Sequence, residues 1–169
     1  HGYDIALLRP HAPGYPVYML GAWYFSLVIR DPLSALTLFS AISGSLAIIP
    51  LYLLIQRLVG WPYALAGSIL FIANPLVWSH SETALSDVPS MALVILALWL
   101  TVSGRSNRTA FVSSFVVMSL AIGVRLSNLP LALVLYVPLL ANVTKSRTVN
   151  WPLWYSGTLF FAITTLAWL

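Results

Sequence analysis

The chain has 169 residues, of which 60% are hydrophobic and only 7% are charged. Its mean hydropathy is +0.91, whereas a soluble domain usually carries about 25% charged residues. This composition excludes an ordinary soluble domain and predicts an all-α, polytopic integral membrane protein that has the lipid bilayer as its main partner. The net charge of +4 is small, and no nucleic-acid partner is expected. Zero cysteines exclude disulfides and thiolate metal sites.

The first feature along the chain is a proline-rich stretch, residues 9–16, where three prolines and a glycine exclude a regular helix. It predicts a rigid, bent loop that holds His11 and Tyr15, with Asp4 just upstream. His11 and Tyr15 are candidate substrate-binding residues, and Asp4 is a candidate catalytic residue. A loop histidine bonded to a backbone carbonyl and a solvated loop acid are the ordinary alternatives for His11 and Asp4.

Apolar segments between polar turns predict the helices that follow. Residues 17–29 are too short for a full crossing and predict an interfacial helix, which completes an external region over residues 1–32. About six membrane segments are predicted in residues 33–169, at 33–55, 63–79, 88–103, 109–124, 129–141 and 151–169. Residues 1–169 are therefore predicted to form one transmembrane domain. Because the chain starts with His and stops in an apolar run, we expect it to be a fragment.

Prolines mark where these helices start and break. Asp31 before Pro32 predicts an N-cap followed by proline in the first turn. Asn74-Pro75 predicts a break near the end of the span 63–79. Three more starts share a capping residue two positions before a proline, and these are Asp87 to Pro89, Asn128 to Pro130 and Asn150 to Pro152.

Alternating the loops across the membrane sorts the charges by side. One side receives all four acids and all three histidines, together with Arg9, Arg30 and Arg125. The other side receives no acid and five of the eight basic residues, namely Arg57, Arg105, Arg108, Lys145 and Arg147. The positive-inside rule makes this second side cytoplasmic. Every candidate for proton transfer or metal binding is therefore predicted on the external face of the cytoplasmic membrane.

The most polar stretch of the chain, residues 80–87, contains His80, Glu82 and Asp87. Carboxylates and a histidine at a membrane rim can act as a general base, as metal ligands or as contacts for a polar substrate. Glu82 and Asp87 are candidate catalytic residues and His80 is a candidate substrate-binding residue, although helix capping alone would also explain Asp87. No metal-ligand spacing is present, so no metal ligand is assigned, and a divalent metal cofactor stays open.

Arg125 stands between two segments that are too short to cross a bilayer comfortably. An arginine below the bilayer surface is costly unless it is paired, and its planar fork suits a phosphate or a carboxylate. Arg125 is therefore either a substrate-binding residue for phosphate or a structural partner of one of the four acids.

Several of these motifs together resemble one group of membrane enzymes. Residues 11–18, HAPGYPVY, resemble the HPPGYP-[LV]-Y segment in the first external loop of GT-C-type glycosyltransferases, which include protein O-mannosyltransferases and lipid A aminoarabinose transferases. Residues 51–60, 74–89 and 123–127 are similar to that family's LYLLARRLFG, NPLF…SE-ALSD-P and GL-R-S/P motifs, in the same order. The resemblance covers most of residues 3–140.

This resemblance implies an enzyme that transfers a sugar, a hexose or a pentose, from a polyprenyl-phosphate donor to an acceptor outside the cytoplasmic membrane. A carboxylate would take the proton of the acceptor hydroxyl, and cationic groups would stabilise the departing phosphate. The resemblance also implies that the family's first transmembrane helix and its main catalytic acid precede His1.

Two other interpretations stay open on the residues alone. The short segments around Arg125 also suit a membrane transporter, in which broken helices line the substrate pathway. The chain can equally be a non-catalytic membrane scaffold. A transporter places its charges near the midplane with access from both faces, whereas here the acids and histidines gather at one rim.

Overall fold

The structure, a computed structural model, describes residues 16–104, 107–138, 140 and 150–167. These residues form helices and contain no β-strand, which confirms the predicted all-α fold. The helices are α1 Pro16–Ser26, α2 Pro32–Val59, α3 Trp61–Ile72, α4 Pro75–Ser81, α5 Asp87–Ser103, α6 Arg108–Val124, a 3₁₀ helix Leu126–Tyr136 and α7 Trp151–Leu166.

The longest helix, α2, begins at the predicted cap. The Asp31 carboxylate accepts hydrogen bonds from the backbone N–H of Ser34 at 2.8 Å and from its hydroxyl at 2.6 Å. The helix continues past the predicted end at residue 55, because polar side chains do not stop a helix that has no competing turn signal. It ends only at Gly60, whose φ of 102° is readily reached by glycine alone.

The predicted break at Asn74-Pro75 is confirmed. Helices α3 and α4 meet there at an angle of 54°. The Asn74 side chain accepts from the Leu76 N–H at 2.9 Å and so caps α4. The indole N–H of Trp78 donates to the carbonyl of Ile72, the last residue of α3. Both freed ends of the broken helix therefore find partners, which stabilises the bend.

A 3₁₀ helix of 11 residues follows α6, where the sequence predicted an apolar segment at 129–141. Runs of this length are uncommon, and at a rise of about 2.0 Å per residue this one reaches roughly 22 Å. The predicted helix start at Asn128 is wrong, because Asn128 lies inside the 3₁₀ helix and its side chain is buried. The predicted start at Asn150 is confirmed, since its side chain accepts from the Leu153 N–H at 3.3 Å.

Length and composition qualify one described helix, α2, as a membrane span by itself. The bent pair α3 and α4 qualifies as a second span if it is counted as one segment. Helices α5, α6 and the 3₁₀ helix are apolar but shorter. The number of six membrane segments therefore stays a prediction. Many large apolar side chains point outward, including Val28, Leu70 and Leu133, as expected for a surface that contacts lipid.

Glycines mark the closest helix contacts. A Cβ on Gly67 of α3 would lie 2.7 Å from the Ile55 side chain of α2, and a Cβ on Gly104 would lie 2.6 Å from the Phe111 backbone of α6. These contacts close the turns at one end of the bundle, where α2 passes to α3 and α5 passes to α6. The ends of α4 and α6 and the start of α5 consequently lie at the opposite end.

The core lies between α5, α6, the 3₁₀ helix and α7. Its centre is the fully buried Phe115, whose ring packs edge-on against Trp154, Tyr136 and Phe161. Gly157 of α7 lets the Phe115 ring approach, since a Cβ there would sit 2.8 Å from it. This aromatic cluster fixes α6, and with it the position of Arg125 at the end of α6.

Candidate functional site

The polar loop, residues 82–86, is fixed against α2. The Ser40 hydroxyl donates to the Leu85 carbonyl at 3.0 Å, and the Tyr18 hydroxyl lies 3.5 Å from the Ser40 oxygen. Gly44, one turn further along α2, admits the neighbouring chain, because a Cβ there would lie 2.7 Å from Ser81 Oγ and 3.0 Å from Val88. Helices α1 and α2 therefore hold the loop that carries Glu82 in one position.

This contact sets the depth of the loop. Ser40 is nine residues beyond Asp31, or roughly 13 Å along the helix at 1.5 Å per residue. With 28 residues, α2 is about 42 Å long, which exceeds a 30 Å hydrocarbon core by about 12 Å. If this excess projects beyond the bilayer at the Asp31 end, the polar loop lies at the edge of the hydrocarbon.

Asp87 and Arg125 form an ion pair between the start of α5 and the end of α6. The Arg125 side chain is 33% exposed and the Asp87 side chain is 40% exposed. The predicted N-cap role of Asp87 is wrong, because α5 has Ser86 as its N-cap and Asp87 as its first helical residue. Its carboxylate is turned to Arg125 instead, and its position in the first turn also complements the helix dipole.

Arg125 is the single extended residue between two helices. Its φ of −148° and ψ of 118° separate α6 from the 3₁₀ helix, and its N–H still donates to the Ala121 carbonyl at 2.9 Å. The contact with Asp87 uses one terminal nitrogen of the guanidinium. A guanidinium has five N–H donors, and this ion pair is the one side-chain contact of Arg125 found among the described residues.

The other acids of the site differ in what they already bind. Asp31 is engaged by Ser34, whose hydroxyl and backbone N–H donors lower the pKa of the Asp31 carboxyl. Asp87 is engaged by Arg125. Glu82 ends α4 as its C-cap and is exposed, and its carboxylate has no hydrogen-bond or ion-pair partner within the part of the chain that the structure describes. Of the three acids described, Glu82 is the one free to act on a substrate.

His80 lies two residues before the loop, near the end of α4. Its backbone carbonyl accepts from the Thr83 hydroxyl at 3.2 Å, and its ring has no described partner. No group of three metal-ligating side chains occurs within the described ranges. Asp4, His11 and Tyr15 lie outside the described residues, as does the proline-rich stretch up to residue 15.

Two apolar grooves lie between α2 and its neighbouring helices. One, of about 250 Å³, lies between α2, α3 and α4 and has Glu82 at its rim. The other, of about 610 Å³, lies between α1, α2, α5 and α6, and its lining includes Leu20, Ala47, Pro89 and Leu120. Pro89, in the first turn of α5, is two residues from Asp87, so this larger groove reaches the helix turn that carries Asp87.

A profile of the dolichyl-phosphate-mannose-protein mannosyltransferase family matches residues 10–169. The chain belongs to this mannosyltransferase family. The GT-C-type resemblance is thereby confirmed, and membership assigns the protein to membrane-bound glycosyl transfer. Neither a curated protein nor a solved structure matched the chain. Membership favours a glycosyltransferase over the transporter and the scaffold that the residues alone left open.

The chemistry of the mannosyltransferase family fits the arrangement at this end of the bundle. A sugar leaving a lipid phosphate leaves negative charge at the bilayer edge, where the low dielectric makes it costly without a cation. Arg125 is a partly exposed cation paired with Asp87 at this end, and the Glu82 carboxylate on the adjoining loop has no partner among the described residues. Sequence reasoning missed the partners of Ser40 and Ser90 and interpreted Asn128 only as a helix cap, since small or amide side chains within apolar runs carry no signal of their partners.

Proposed function

We propose that the protein transfers a sugar from a polyprenyl-phosphate donor to an acceptor hydroxyl at the external face of the cytoplasmic membrane. The observation that carries this proposal is the partly exposed Arg125 guanidinium, which is paired with Asp87 in the first turn of α5, the same turn whose Pro89 lines an apolar groove. An amphipathic donor needs such a junction, because its phosphate requires a cation and its lipid requires apolar surface. Mannose, the sugar in the family description, is the first sugar to test.

The proposed reaction is a displacement at the anomeric carbon. The acceptor oxygen bonds to this carbon while the bond from the carbon to the phosphate oxygen breaks. The acceptor proton passes to a carboxylate, for which Glu82 is the free candidate, and the electron pair leaves with the polyprenyl phosphate. Arg125 stabilises the charge of this leaving phosphate through its remaining N–H donors. Asp87 acts through Arg125 rather than on the sugar.

The larger groove suits the lipid part of the donor. It is lined almost entirely by aliphatic side chains and begins two residues from Asp87. The one hydroxyl on α2 in its lining, that of Ser43, is already donated to the Phe39 carbonyl at 2.7 Å. An isoprenoid chain in this groove would bring its phosphate to Arg125. We assign His80, His11 and Tyr15 to donor contacts and Asp4 to a second carboxylate near the sugar.

The assignment of Glu82 is tested by a transfer assay with the protein in liposomes and radiolabelled polyprenyl-phosphate mannose. Glu82→Gln removes the proton acceptor and keeps the shape, so we expect turnover to fall by about 10²- to 10⁴-fold. Asp31→Asn is the matched control, because it also replaces a carboxylate with an amide at the same end of the bundle. Asparagine is a good N-cap, so this variant should fold normally and leave turnover unchanged.

The outcomes of this assay separate two questions. If wild-type protein transfers mannose and Glu82→Gln is equally active, the base is another carboxylate, with Asp4 the next candidate. If wild-type protein transfers no sugar from any polyprenyl-phosphate donor, glycosyl transfer itself is contradicted.

The external location is tested by cysteine labelling in sealed vesicles. Single cysteines at positions 82 and 125 should react with an impermeant reagent from the side on which position 11 reacts. A cysteine at position 105 should react only from the opposite side. Labelling of positions 82 and 105 from the same side would overturn the proposed topology.

A further inference from the structure

Asn128 makes a buried connection between three segments of the site. Its side chain is 7% exposed, and its amide donates to Ser90 Oγ of α5 at 2.6 Å and to the Ala121 carbonyl of α6 at 2.7 Å. Both amide hydrogens are therefore used. Ser90 is 4% exposed, so its hydroxyl is also withdrawn from solvent.

This connection lies beside the ion pair of the site. Ser90 is three residues after Asp87 on α5, and Asn128 is three residues after Arg125. Residues three apart on an α-helix share a face, so Asp87 and Ser90 face the same neighbouring segment, and the Asn128–Ser90 bond and the Arg125–Asp87 pair join the same two segments. The two links together fix both the distance and the rotation between the start of α5 and the turn at Arg125.

The backbone of Arg125 depends on the same residue. The Asn128 N–H donates to the Arg125 carbonyl at 3.1 Å. The Ala121 carbonyl that binds the Asn128 amide also accepts the Arg125 N–H, at 2.9 Å. Arg125 is thus held at its N–H through Ala121 and at its carbonyl through Asn128, although it is the one extended residue between two helices.

We propose that Asn128, anchored by Ser90, is the positioning residue that aims the Arg125 guanidinium at the phosphate of the lipid-linked donor. This inference rests on the proposed function of Arg125. A buried amide network is satisfied in one geometry only, because each unpaired donor or acceptor in an apolar interior is costly. The network therefore holds Arg125 in place before the donor binds, so that little reorganisation accompanies binding of the phosphate.

The test measures donor binding separately from folding. Asn128→Ala should weaken the apparent affinity for the polyprenyl-phosphate sugar by about 10- to 100-fold, the scale expected when a reacting group is displaced by about 1 Å. Ser90→Ala should have a smaller effect of the same kind, and Ser90→Thr, which keeps the hydroxyl, should restore affinity. Thr101→Ala is the matched control, since Thr101 is a buried polar residue at the other end of α5.

Two readouts are taken on the folded fraction of each variant. The first readout compares the change in KM for the donor with the change in kcat. The second is the increase in melting temperature caused by the sugar-free carrier, polyprenyl phosphate. The proposal predicts that Asn128→Ala loses the thermal shift and raises KM, whereas Thr101→Ala lowers only the melting temperature. Asn128→Ala with wild-type KM and wild-type thermal shift would overturn it.

Failure of the proposed function gives a different pattern. A wild-type protein that binds polyprenyl phosphate but transfers no sugar would contradict transfer, while loss of that binding in Asn128→Ala would still support positioning of Arg125. A wild-type protein that does not bind polyprenyl phosphate would overturn both.

Discussion

Arg125→Ala is expected to lower kcat/KM for the polyprenyl-phosphate donor by about 10- to 150-fold, since a hydrogen bond to a charged group contributes about 1.5–3 kcal/mol. Arg125→Lys should lose less, because lysine keeps the positive charge but cannot offer the planar fork that matches phosphate oxygens. The measurement is turnover per folded molecule, with the folded fraction of each variant determined by size-exclusion chromatography in detergent.

The competing explanation for Arg125 predicts a different result. If the guanidinium only pairs with Asp87 for folding, Arg125→Ala lowers the folded amount, and the surviving molecules turn over at the wild-type rate. Arg57→Ala serves as the control, because Arg57 is an exposed arginine in the last turn of α2, at the opposite end of the bundle. Unchanged turnover per folded molecule in Arg125→Ala would end the phosphate hypothesis.

Features set by local chemistry could be predicted from the sequence. The cap at Asp31, the break at Asn74-Pro75 and the start at Asn150 each depend on a side chain and a proline within a few residues. Long apolar runs predicted the helices in the same way, since the bilayer leaves few other backbone conformations. The family resemblance came from motifs of this local kind.

Partners that are distant in sequence could not be predicted. Asp87 and Asn128 carry the same capping pattern as Asn150, yet Asp87 pairs with a residue 38 positions away and Asn128 bonds to a residue 38 positions away. Tertiary contacts replaced the local cap in both cases. The contact that holds the polar loop on α2 could not be predicted either, since Ser40 and Leu85 are 45 positions apart and a serine within an apolar run carries no signal of its partner.

Exchanging the two charges of the Arg125–Asp87 pair distinguishes its role in folding from the role of Arg125 in binding phosphate. Asp87→Arg alone places two guanidinium groups together, and Arg125→Asp alone places two carboxylates together. Each single variant should fold poorly, although by less than the 3–5 kcal/mol typical of a fully buried pair, because both side chains are about one-third exposed or more. The double variant restores an attractive pair and should recover much of the folded amount, with a coupling free energy of about 0.5–3 kcal/mol.

Transfer should not recover with folding in the double variant. Its guanidinium starts from the first turn of α5 instead of the extended residue that Asn128 and Ala121 hold, and a carboxylate now occupies the position from which the phosphate was bound. Turnover per folded molecule should therefore stay at least about 10-fold below wild type, the loss expected from one charge-assisted hydrogen bond. Recovery of both folding and transfer would mean that any ion pair at this position suffices and that Arg125 has no directional role toward the donor.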